Sequence, residues 1–491
     1  MDRTPDEIRQ LRTNRGATLV LVVLLATTAG MAGLAAAQPA ETEEPPKGAK
    51  LAAAGEPTAT AFRAGEQYLL TYEGAALPET VEARLEEIGG WVDHQWPGIA
   101  SVAVAGIDER AAHRLRRLPG VSGVYRDVEL QWVAPPVAPE FVALDGPAAL
   151  SAVEPVVSAR DPSTAFFYDF WQWNMRQIQA DAAWESSRRG AGTLVCVLDT
   201  GIDATHIDLM GRVRPFPVRR SVVASDPVLE DFNFHGTFVA ALISSNGIGI
   251  ASVAPEADLC AIKVLGRNGV GTFSDIIAGI VHATDVGADV INMSLGATIP
   301  TKGFEDLVRS LQGAVDYARL RGVVVVASAG NSRLNMDEHK DLLVIPSMLK
   351  GVLSSGATGP RNQRNFDRRA SYSNFGRRGL DVMAPGGGIP TFQRRDAIIS
   401  PCARFAFCGL FVCPCLSGML YVTNQVGTSF ASPHTAGAAA VAKSEGHQKP
   451  GHCVTTGTDR ITESGNDTVY GRGRINVLGA ALCQRLETDA E

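Results

Sequence analysis

The sequence predicts an α/β fold, in which a mainly parallel central sheet is flanked by helices and preceded by a small α+β domain. Near-continuous apolar runs at residues 193–198 and 323–327 are typical of strands buried on both faces of a parallel sheet. The apolar run 238–243 and the Ala- and Gly-rich run 435–442 indicate helices that pack closely inside the domain. A chain of 491 residues with 45% hydrophobic content can bury a large core and form more than one domain.

Residues 1–37 have the features of a secretory signal peptide. Basic residues precede the apolar stretch 17–29, and residues 35–37 offer an A-x-A cleavage site. An uncleaved membrane anchor is the alternative, because residues 17–37 approach the length that spans a bilayer. Threonines and the Ala/Gly-rich second half of this stretch favour cleavage, so we expect an exported protein.

Residues 65–132 are predicted to form the small α+β domain, after a Pro-, Glu- and Ala-rich disordered linker at residues 38–64. A second linker, at residues 133–165, is rich in Pro, Ala and Val and lacks periodicity. The larger domain then spans residues 166–485 and is followed by a short tail at residues 486–491. In the small domain the predicted strands are 67–72, 99–104 and 121–125, and the predicted helices are 80–88 and 108–117.

Three polar residues of the larger domain lie at the ends of predicted elements. Asp199 follows the first buried strand, at the edge where open α/β sheets build their sites. His235 lies on the first turn of one predicted helix, and Ser429 lies in a tight turn at the start of another. Taken singly, each has an ordinary structural role, as a turn carboxylate, a helix N-terminal residue or a cap.

Together these three residue types suit nucleophilic catalysis. A serine hydroxyl is a poor nucleophile near neutral pH, so a histidine must take its proton and return it to the leaving group. A buried aspartate fixes the tautomer of that histidine and stabilises the imidazolium. All three residues lie at glycine-flanked ends of elements, in the chain order Asp199, His235, Ser429, and this favours the catalytic interpretation.

Segments 197–203, 235–237 and 427–433 resemble the three signature blocks of the subtilisin-like serine proteases, and the resemblance extends over residues 171–481. It implies a subtilisin-like fold and a serine endopeptidase that hydrolyses peptide bonds through an Asp-His-Ser triad and an acyl-enzyme intermediate. Residues 65–132 are similar to the inhibitory propeptide of this family, which implies a zymogen inhibited by its own propeptide. An unrelated small α+β module is the alternative for these residues.

A catalytically inactive relative that binds peptides in the same cleft is the alternative function, but no triad residue has been lost. The sequence departs from the family pattern in two places, with Phe430 after the serine and with a long insertion at residues 387–424. The insertion bears on substrate access more than on the chemistry.

The resemblance also implies roles for residues around the triad. It makes Asn331 the side-chain donor to the oxyanion, beside the backbone N–H of Ser429. A left-handed turn after the strand is the alternative role for this asparagine. Glycines in two further segments would let a substrate backbone come close, and their apolar or small neighbours predict broad cleavage with some preference for apolar side chains. The predicted substrate-binding residues are Gly269, Gly271, Ser294, Leu295 and Gly296.

The net charge of −7 is modest and no dense Lys/Arg block is present, so nothing suggests a nucleic-acid-binding surface. The expected partners are protein or peptide substrates and the chain's own propeptide, and the protease is expected to be a monomer. The proposed chemistry requires no cofactor. The resemblance makes Asp208 a candidate ligand for a structural Ca²⁺, but the partner loop at residues 245–249 looks short and offers no second carboxylate. A surface aspartate is therefore the favoured interpretation.

Two of the eight cysteines lie in apolar runs that predict buried strands. We expect Cys196 and Cys260 to be packed thiols, with a bridge between adjacent strands as the alternative.

The other six cysteines lie in the C-terminal part of the chain, where export would allow disulfides to persist. We predict that bridges staple the insertion at residues 387–424 and that Cys453 pairs with Cys483. A metal-binding knuckle is the alternative for three of them, although their spacing is not a common zinc pattern. The six are Cys402, Cys408, Cys413, Cys415, Cys453 and Cys483.

Overall fold

The computed structural model describes residues 67–134, 161–389, 394–404, 406, 421–461 and 468–486, and the backbone of residues 141–143, 407–408 and 411–412. The described residues all belong to one compact unit. The predicted signal peptide and the linker at residues 38–64 lie outside them. In the part of the chain that the structure describes, no helix is both long and apolar enough to cross a bilayer.

Five strands and two helices make up the N-terminal part of the described chain. They are β1 (Gln67–Tyr72), α1 (Glu79–Glu87), β2 (Trp91–Trp96), β3 (Ser101–Ala105), α2 (Glu109–Leu115), β4 (Val121–Arg126) and β5 (Glu129–Gln131). The first four strands form an antiparallel sheet in the order β2-β3-β1-β4. The sequence did not predict β2, because half of its residues are exposed and no apolar alternation marks it.

The two faces of this sheet belong to different cores. Leu70 and Val102 pack with Leu85 and Leu115 of the two helices. The neighbouring residue Leu69 faces the other way, into a core that includes Phe273 of the larger domain. This alternation follows from the two-residue period of a strand, and it turns the Leu69 face of the sheet toward the larger domain.

The predicted linker at residues 133–165 contains packed residues. Val133 and Ala165 are buried, and residues 141–143 form a short strand. The buried residues are isolated rather than regularly spaced, so the sequence shows no periodicity that would indicate this packing. The elements that follow β5 are β6 (Phe141–Ala143), α3 (Tyr168–Trp171), α4 (Trp173–Gln177) and α5 (Ala180–Ser186).

The larger domain is built on a seven-stranded parallel sheet, as the sequence predicts. Its elements up to the insertion are β7 (Leu194–Asp199), β8 (Arg220–Ser221), α6 (His235–Ile243), β9 (Asp258–Lys263), β10 (Val270–Thr272), α7 (Phe273–Asp285), β11 (Val290–Met293), β12 (Ala297–Pro300), α8 (Glu305–Leu320), β13 (Val324–Ser328), β14 (Leu342–Ile345), β15 (Val352–Thr358) and β16 (Val382–Pro385). The sheet order is β16-β15-β13-β11-β7-β9-β8, and neighbouring strands are parallel. The short strands β12 and β14 pair with each other outside it.

The C-terminal part contributes a long buried helix. Its elements are β17 (Ile398–Pro401), β18 (Phe407–Cys408), β19 (Phe411–Val412), β20 (Tyr421–Gln425), α9 (Thr428–Ser444), α10 (Pro450–Thr456) and α11 (Val477–Leu482). Small residues let α9 approach its neighbours closely, since a Cβ built on Gly437 would lie 2.6 Å from the Cβ of Val253. Strand β20 pairs with β17 on one side and with β6 on the other, antiparallel in both cases.

The insertion at residues 387–424 is tied to the domain through β17. The Ser400 hydroxyl donates to the carbonyl oxygen of Phe238 on α6 across 2.7 Å. The backbone N–H of Arg404 donates to Oδ2 of Asp203 across 2.8 Å. The described part of the insertion therefore packs against the turn after β7 and against α6.

The cysteines of the two groups differ in whether they form a disulfide. Cys196 and Cys260 are paired positions on β7 and β9 and are buried, free thiols. Cys453 and Cys483 form the predicted disulfide, with their Cα atoms 4.3 Å apart. The remaining prediction, a stapled insertion, concerns Cys413 and Cys415 outside the described residues, Cys408, of which only the backbone is described, and the buried Cys402.

Candidate active site

Asp199 and His235 are in contact at the carboxyl edge of the central sheet. Asp199 is the last residue of β7 and His235 the first residue of α6. Both carboxylate oxygens lie near Nδ1 of the imidazole, Oδ1 at 2.8 Å and Oδ2 at 2.9 Å. Asp199 is 1% exposed and His235 is 5% exposed, so this pair is shielded from water.

Glycine allows the turn after Asp199 and the start of α6 to touch. A Cβ built on Gly236 would collide with the carbonyl oxygen of Gly201. Gly201 itself has a φ of +113°, which side chains rarely adopt, and a Cβ there would lie 2.7 Å from the carbonyl oxygen of Leu229. The backbones of the two segments therefore pack directly on each other beside the Asp199–His235 contact.

A second buried aspartate, Asp231, fastens the same two segments together. Its Oδ1 accepts from the Thr200 hydroxyl at 2.9 Å, and its Oδ2 accepts from the backbone N–H and the hydroxyl of Thr237 at 2.9 and 2.7 Å. Burial raises the pKa of Asp231 above its ordinary value, and the nearby charge of Asp199 adds to the increase. Asp231 was not among the site residues predicted from the sequence. Its position four residues before His235, next to a helix start, is the signal that could have indicated a cap.

Ser429 is the second residue of α9 and is half-buried. The next residue, Phe430, has its ring centroid 5.6 Å from that of His235. This contact places the start of α9 beside the imidazole. As the second helical residue, Ser429 has a backbone N–H without an intrahelical acceptor, at the positive end of the helix dipole.

Pro433 lies inside α9 rather than on its first turn. The helix begins at Thr428, so Pro433 is its sixth residue and lies in the second turn, where a missing N–H does matter. It leaves the carbonyl oxygen of Ser429 without the usual i+4 donor.

Asn331 lies directly beside the start of α9. Its Oδ1 accepts from the backbone N–H and the hydroxyl of Thr428, both at 2.9 Å. These two bonds fix the amide so that Nδ2 points away from Thr428, and a Cβ built on Gly427 would lie 3.6 Å from Nδ2. An N–H donor of Asn331 and the N–H of Ser429 thus border the same turn.

The predicted substrate-binding segments contact a strand of the chain itself. Strand β5 pairs antiparallel with β10, with Leu130 opposite Gly271. The backbone N–H of Trp132 donates to the carbonyl oxygen of Gly269 at 3.0 Å, and the N–H of Gly296 donates to the carbonyl oxygen of Trp132 at 2.9 Å. Leu295 is fully buried in the core that holds Trp132. Ser294 is also buried, and its hydroxyl accepts from Asn292 at 2.9 Å.

Residues 190–473 match the subtilase family. The chain belongs to this family. It is 33% identical over 340 residues to a thermophilic serine proteinase of Bacillus sp. (strain AK1), which covers 66% of this chain and 73% of the relative. It is 35% identical over 315 residues to subtilisin BL of Lederbergia lenta, which covers 63% of this chain and 97% of the relative.

Solved structures agree with the subtilase fold. The epidermin leader peptide processing serine protease of Staphylococcus aureus matches with a TM-score of 0.65 at 19% identity, over 84% of this chain and 97% of that chain. The protein is therefore a serine endopeptidase with the subtilisin-like fold, as the sequence predicts.

Asp208 of this subtilase does not offer a site that fits Ca²⁺. The carboxylate is fully buried and accepts from the N–H groups of Ile248 and Gly249 at 2.9 and 3.0 Å, and from the Ser245 hydroxyl at 3.0 Å. The N–H of Ile250 adds a further donor at 3.3 Å. A calcium ion needs several oxygen ligands, whereas this loop surrounds the carboxylate with donors. The favoured interpretation of a surface aspartate was wrong, because the short loop folds over this carboxylate and its N–H groups bind it.

His434, in the second turn of α9, is a further buried group of the subtilase. Its Nδ1 lies 2.6 Å from the carbonyl oxygen of Phe430 and must donate to it, so Nε2 accepts from Nδ2 of Asn174 at 2.8 Å. Burial lowers the pKa of His434 to about 4, which keeps the imidazole neutral. This chain of bonds fixes the first turns of α9, which carry Ser429.

Proposed function

We propose that this subtilase is a secreted endopeptidase, made as a zymogen, in which Asp199, His235 and Ser429 form the catalytic triad. The observation that carries the proposal is the buried contact of both Asp199 oxygens with Nδ1 of His235, beside the start of the helix that bears Ser429. The carboxylate holds the hydrogen of the imidazole on Nδ1. Nε2 is then the basic nitrogen that can take a proton.

In this mechanism the Ser429 hydroxyl attacks the carbonyl carbon of the scissile peptide bond while Nε2 of His235 takes the hydroxyl proton. Asp199 stabilises the imidazolium that forms. The tetrahedral intermediate collapses as the C–N bond breaks, and the imidazolium returns the proton to the leaving amine. Water then repeats the sequence on the acyl-enzyme and releases the carboxylic acid. Nucleophile, base and oxyanion donors all come from the chain, so the proposed chemistry needs no cofactor.

The developing oxyanion would be held by Nδ2 of Asn331 and the backbone N–H of Ser429. The two hydrogen bonds from Thr428 to Oδ1 of Asn331 support this role, because they orient the amide before the reaction begins. The positive end of the α9 dipole adds to the stabilisation of negative charge at the same place.

Protein and peptide substrates would bind as an added strand between β10 and Gly296. The bonds made by the segment 129–133 support this binding mode, since they use Gly269, Gly271 and Gly296, which were proposed from the sequence. Because the same segment covers these groups, we propose that residues 65–132 act as an inhibitory propeptide. Cleavage beyond Val133 would allow release.

Secretion of the protease as a monomer is part of the proposal. The signal-like N-terminus supports export, and the Cys453–Cys483 disulfide is of the kind that persists in oxidising compartments.

A serine-directed fluorophosphonate tests the proposed chemistry. The matured protein should be labelled stoichiometrically, and the variant Ser429→Ala should not be labelled. Equal labelling of both proteins would contradict the assignment of the nucleophile. A matured protein that binds peptides but takes up no label would instead support the inactive peptide-binding alternative.

A further inference from the structure

Lys263 is a fully buried lysine at the end of β9, directly opposite Asp199 in the parallel pairing with β7. The other strand residues just before it, Cys260, Ala261 and Ile262, are apolar and buried. Removing an ammonium group from water is unfavourable unless it gains close partners. The burial of Lys263 at this position therefore raises the question of what its charge holds in place.

The ammonium group of Lys263 has three oxygen partners. Nζ donates to the carbonyl oxygens of Thr200 and Glu230, each at 3.1 Å. It also lies 3.0 Å from Oδ2 of Asp226, whose side chain is 9% exposed. The group thus has an ion-pair partner and two backbone acceptors.

The two backbone acceptors belong to the segments that carry the proposed base and its aspartate. Thr200 follows Asp199 at the end of β7, and Glu230 lies in the loop that leads to His235. The same segments are also joined by the Asp231 bonds to Thr200 and Thr237. Lys263 and Asp231 therefore both hold this junction together.

Small movements at this junction would reach the catalytic pair. The turn after Asp199 packs against the backbone at Leu229 and Gly236 with no room for a Cβ. If the Thr200 turn and the Glu230 loop separate, the Asp199–His235 contact must change, because each segment begins or ends at one member of that pair.

We propose that Lys263 is a positioning residue for catalysis, which acts by holding the Thr200 turn against the Glu230 loop and so fixes His235 relative to Asp199. The proposal rests on the triad mechanism above. It assigns Lys263 no contact with the substrate, so its loss should change turnover and leave substrate binding unchanged.

Two substitutions separate positioning from simple ion-pair stability. Asp226→Asn breaks the ion pair but keeps both bonds from Nζ to backbone carbonyls. Lys263→Met removes the ion pair and those bonds, and leaves Asp226 buried without its cation. The double variant Asp226→Asn/Lys263→Met removes the bonds without leaving that unpaired charge, which protects the experiment against a single variant that fails to fold.

Each matured variant is compared with the parent protein by steady-state kinetics on a peptide substrate, after fluorophosphonate titration of active sites, and by thermal unfolding. We expect the double variant to lose at least about tenfold in kcat with KM changed less than about twofold. Asp226→Asn should keep kcat within about threefold even though its Tm falls.

The proposal is overturned if the double variant regains the parent kcat, or if all the variants lose kcat in proportion to their loss of Tm. A lysine that only stabilises the fold predicts either of these results. If the parent protein is not labelled by the fluorophosphonate, the proposed protease mechanism fails. The titration distinguishes this outcome from failure of the positioning proposal alone, in which the parent is fully labelled and the variants keep its kcat.

Discussion

The indole N–H of Trp132 donates a hydrogen bond to the carbonyl oxygen of Gly271 across 2.9 Å, in a buried contact. The ring also packs edge-on against Phe273, with centroids 5.6 Å apart. Trp132 is only 3% exposed. A single side chain of the proposed propeptide thus combines apolar burial with a directed polar bond to the strand that is expected to bind substrates.

Trp132→Phe in an isolated segment of residues 65–134 should weaken inhibition of the matured protease by about fivefold. The substitution keeps an aromatic ring but removes the N–H donor, and the loss of this hydrogen bond costs about 1 kcal/mol. Trp91→Phe is the matched control, because Trp91 is 55% exposed. The inhibition constants of the three segments test this expectation, and equal weakening by both substitutions would contradict it.

Inhibition by the same segment should weaken as the pH rises. Burial raises the pKa of Asp127 from 3.8 to about 6, although bonds from Ser274 and Val128 oppose the increase. If Asp127 regains its ordinary pKa on release, the docked form binds its proton more tightly. Docking is then strongest below about pH 4 and weakens by up to about 100-fold as the pH rises through 6.

The inhibition constant measured between pH 4 and 8 tests this dependence. Asp127→Asn should remove most of it, because the amide does not titrate. Glu79→Gln, at an exposed position, should leave it unchanged. A pH profile that Asp127→Asn does not alter would assign the dependence to other groups.

Asn331→Ala should lower kcat by about 10²- to 10³-fold with little change in KM, a size known for the corresponding donor in a subtilisin. The reason is that Nδ2 is proposed to bind the oxyanion only as it forms. Asn331→Asp keeps an oxygen for Thr428 and so tests whether the loss comes from the helix start. If the aspartate variant retained full activity, the amide would not be an oxyanion donor.

His235→Ala and Ser429→Ala should each lower kcat by a similarly large factor, about 10⁶-fold on the precedent of a subtilisin. The double variant should be little worse than either, because base and nucleophile act as a unit. Rates measured at equal protein concentration check this, and additive losses would point to a different mechanism.

A Ca²⁺ chelator should not lower the thermal stability of the protein through the Asp208 loop, since N–H and O–H donors already surround that carboxylate. Asp208→Ala should instead lower the free energy of unfolding by at least about 2 kcal/mol, because it leaves several buried N–H groups without an acceptor. Thermal unfolding with and without chelator compares the two effects, with Asp169→Asn as an exposed control. A chelator-sensitive parent whose sensitivity is lost in Asp208→Ala would contradict this account.

The sequence predicts the central sheet and family well because both depend on local patterns. The run before Asp199 is apolar because the strand is buried on both faces, and the segments around His235 and Ser429 are short and contiguous. The roles of these site residues, and of Asn331, remain predictions that the kinetic experiments address.

Contacts between distant segments could not be predicted in the same way. The bonds of Asp231 to Thr200 and of His434 to Asn174 join residues that are far apart in the chain, and no period marks them. Lys263 interrupts an apolar strand, which was a signal, but its partners depend on how two loops fold over it. The same holds for the Asp208 loop. Its short length indicated a poor calcium site, but the sequence did not show that N–H groups of the loop would bind the carboxylate instead.

The pairing of β6 with β20 changes what a maturation cut would accomplish. Val133 is bound to Gly269 at one end of the connecting segment, and Phe141 is paired with Thr423 at the other, six residues before Ser429. A peptide bond broken between Val133 and Phe141 would therefore leave two chain ends, each still held by its own backbone hydrogen bonds. Cleavage and activation are then separate events, and the delay between them is set by the rate at which the cleaved ends dissociate.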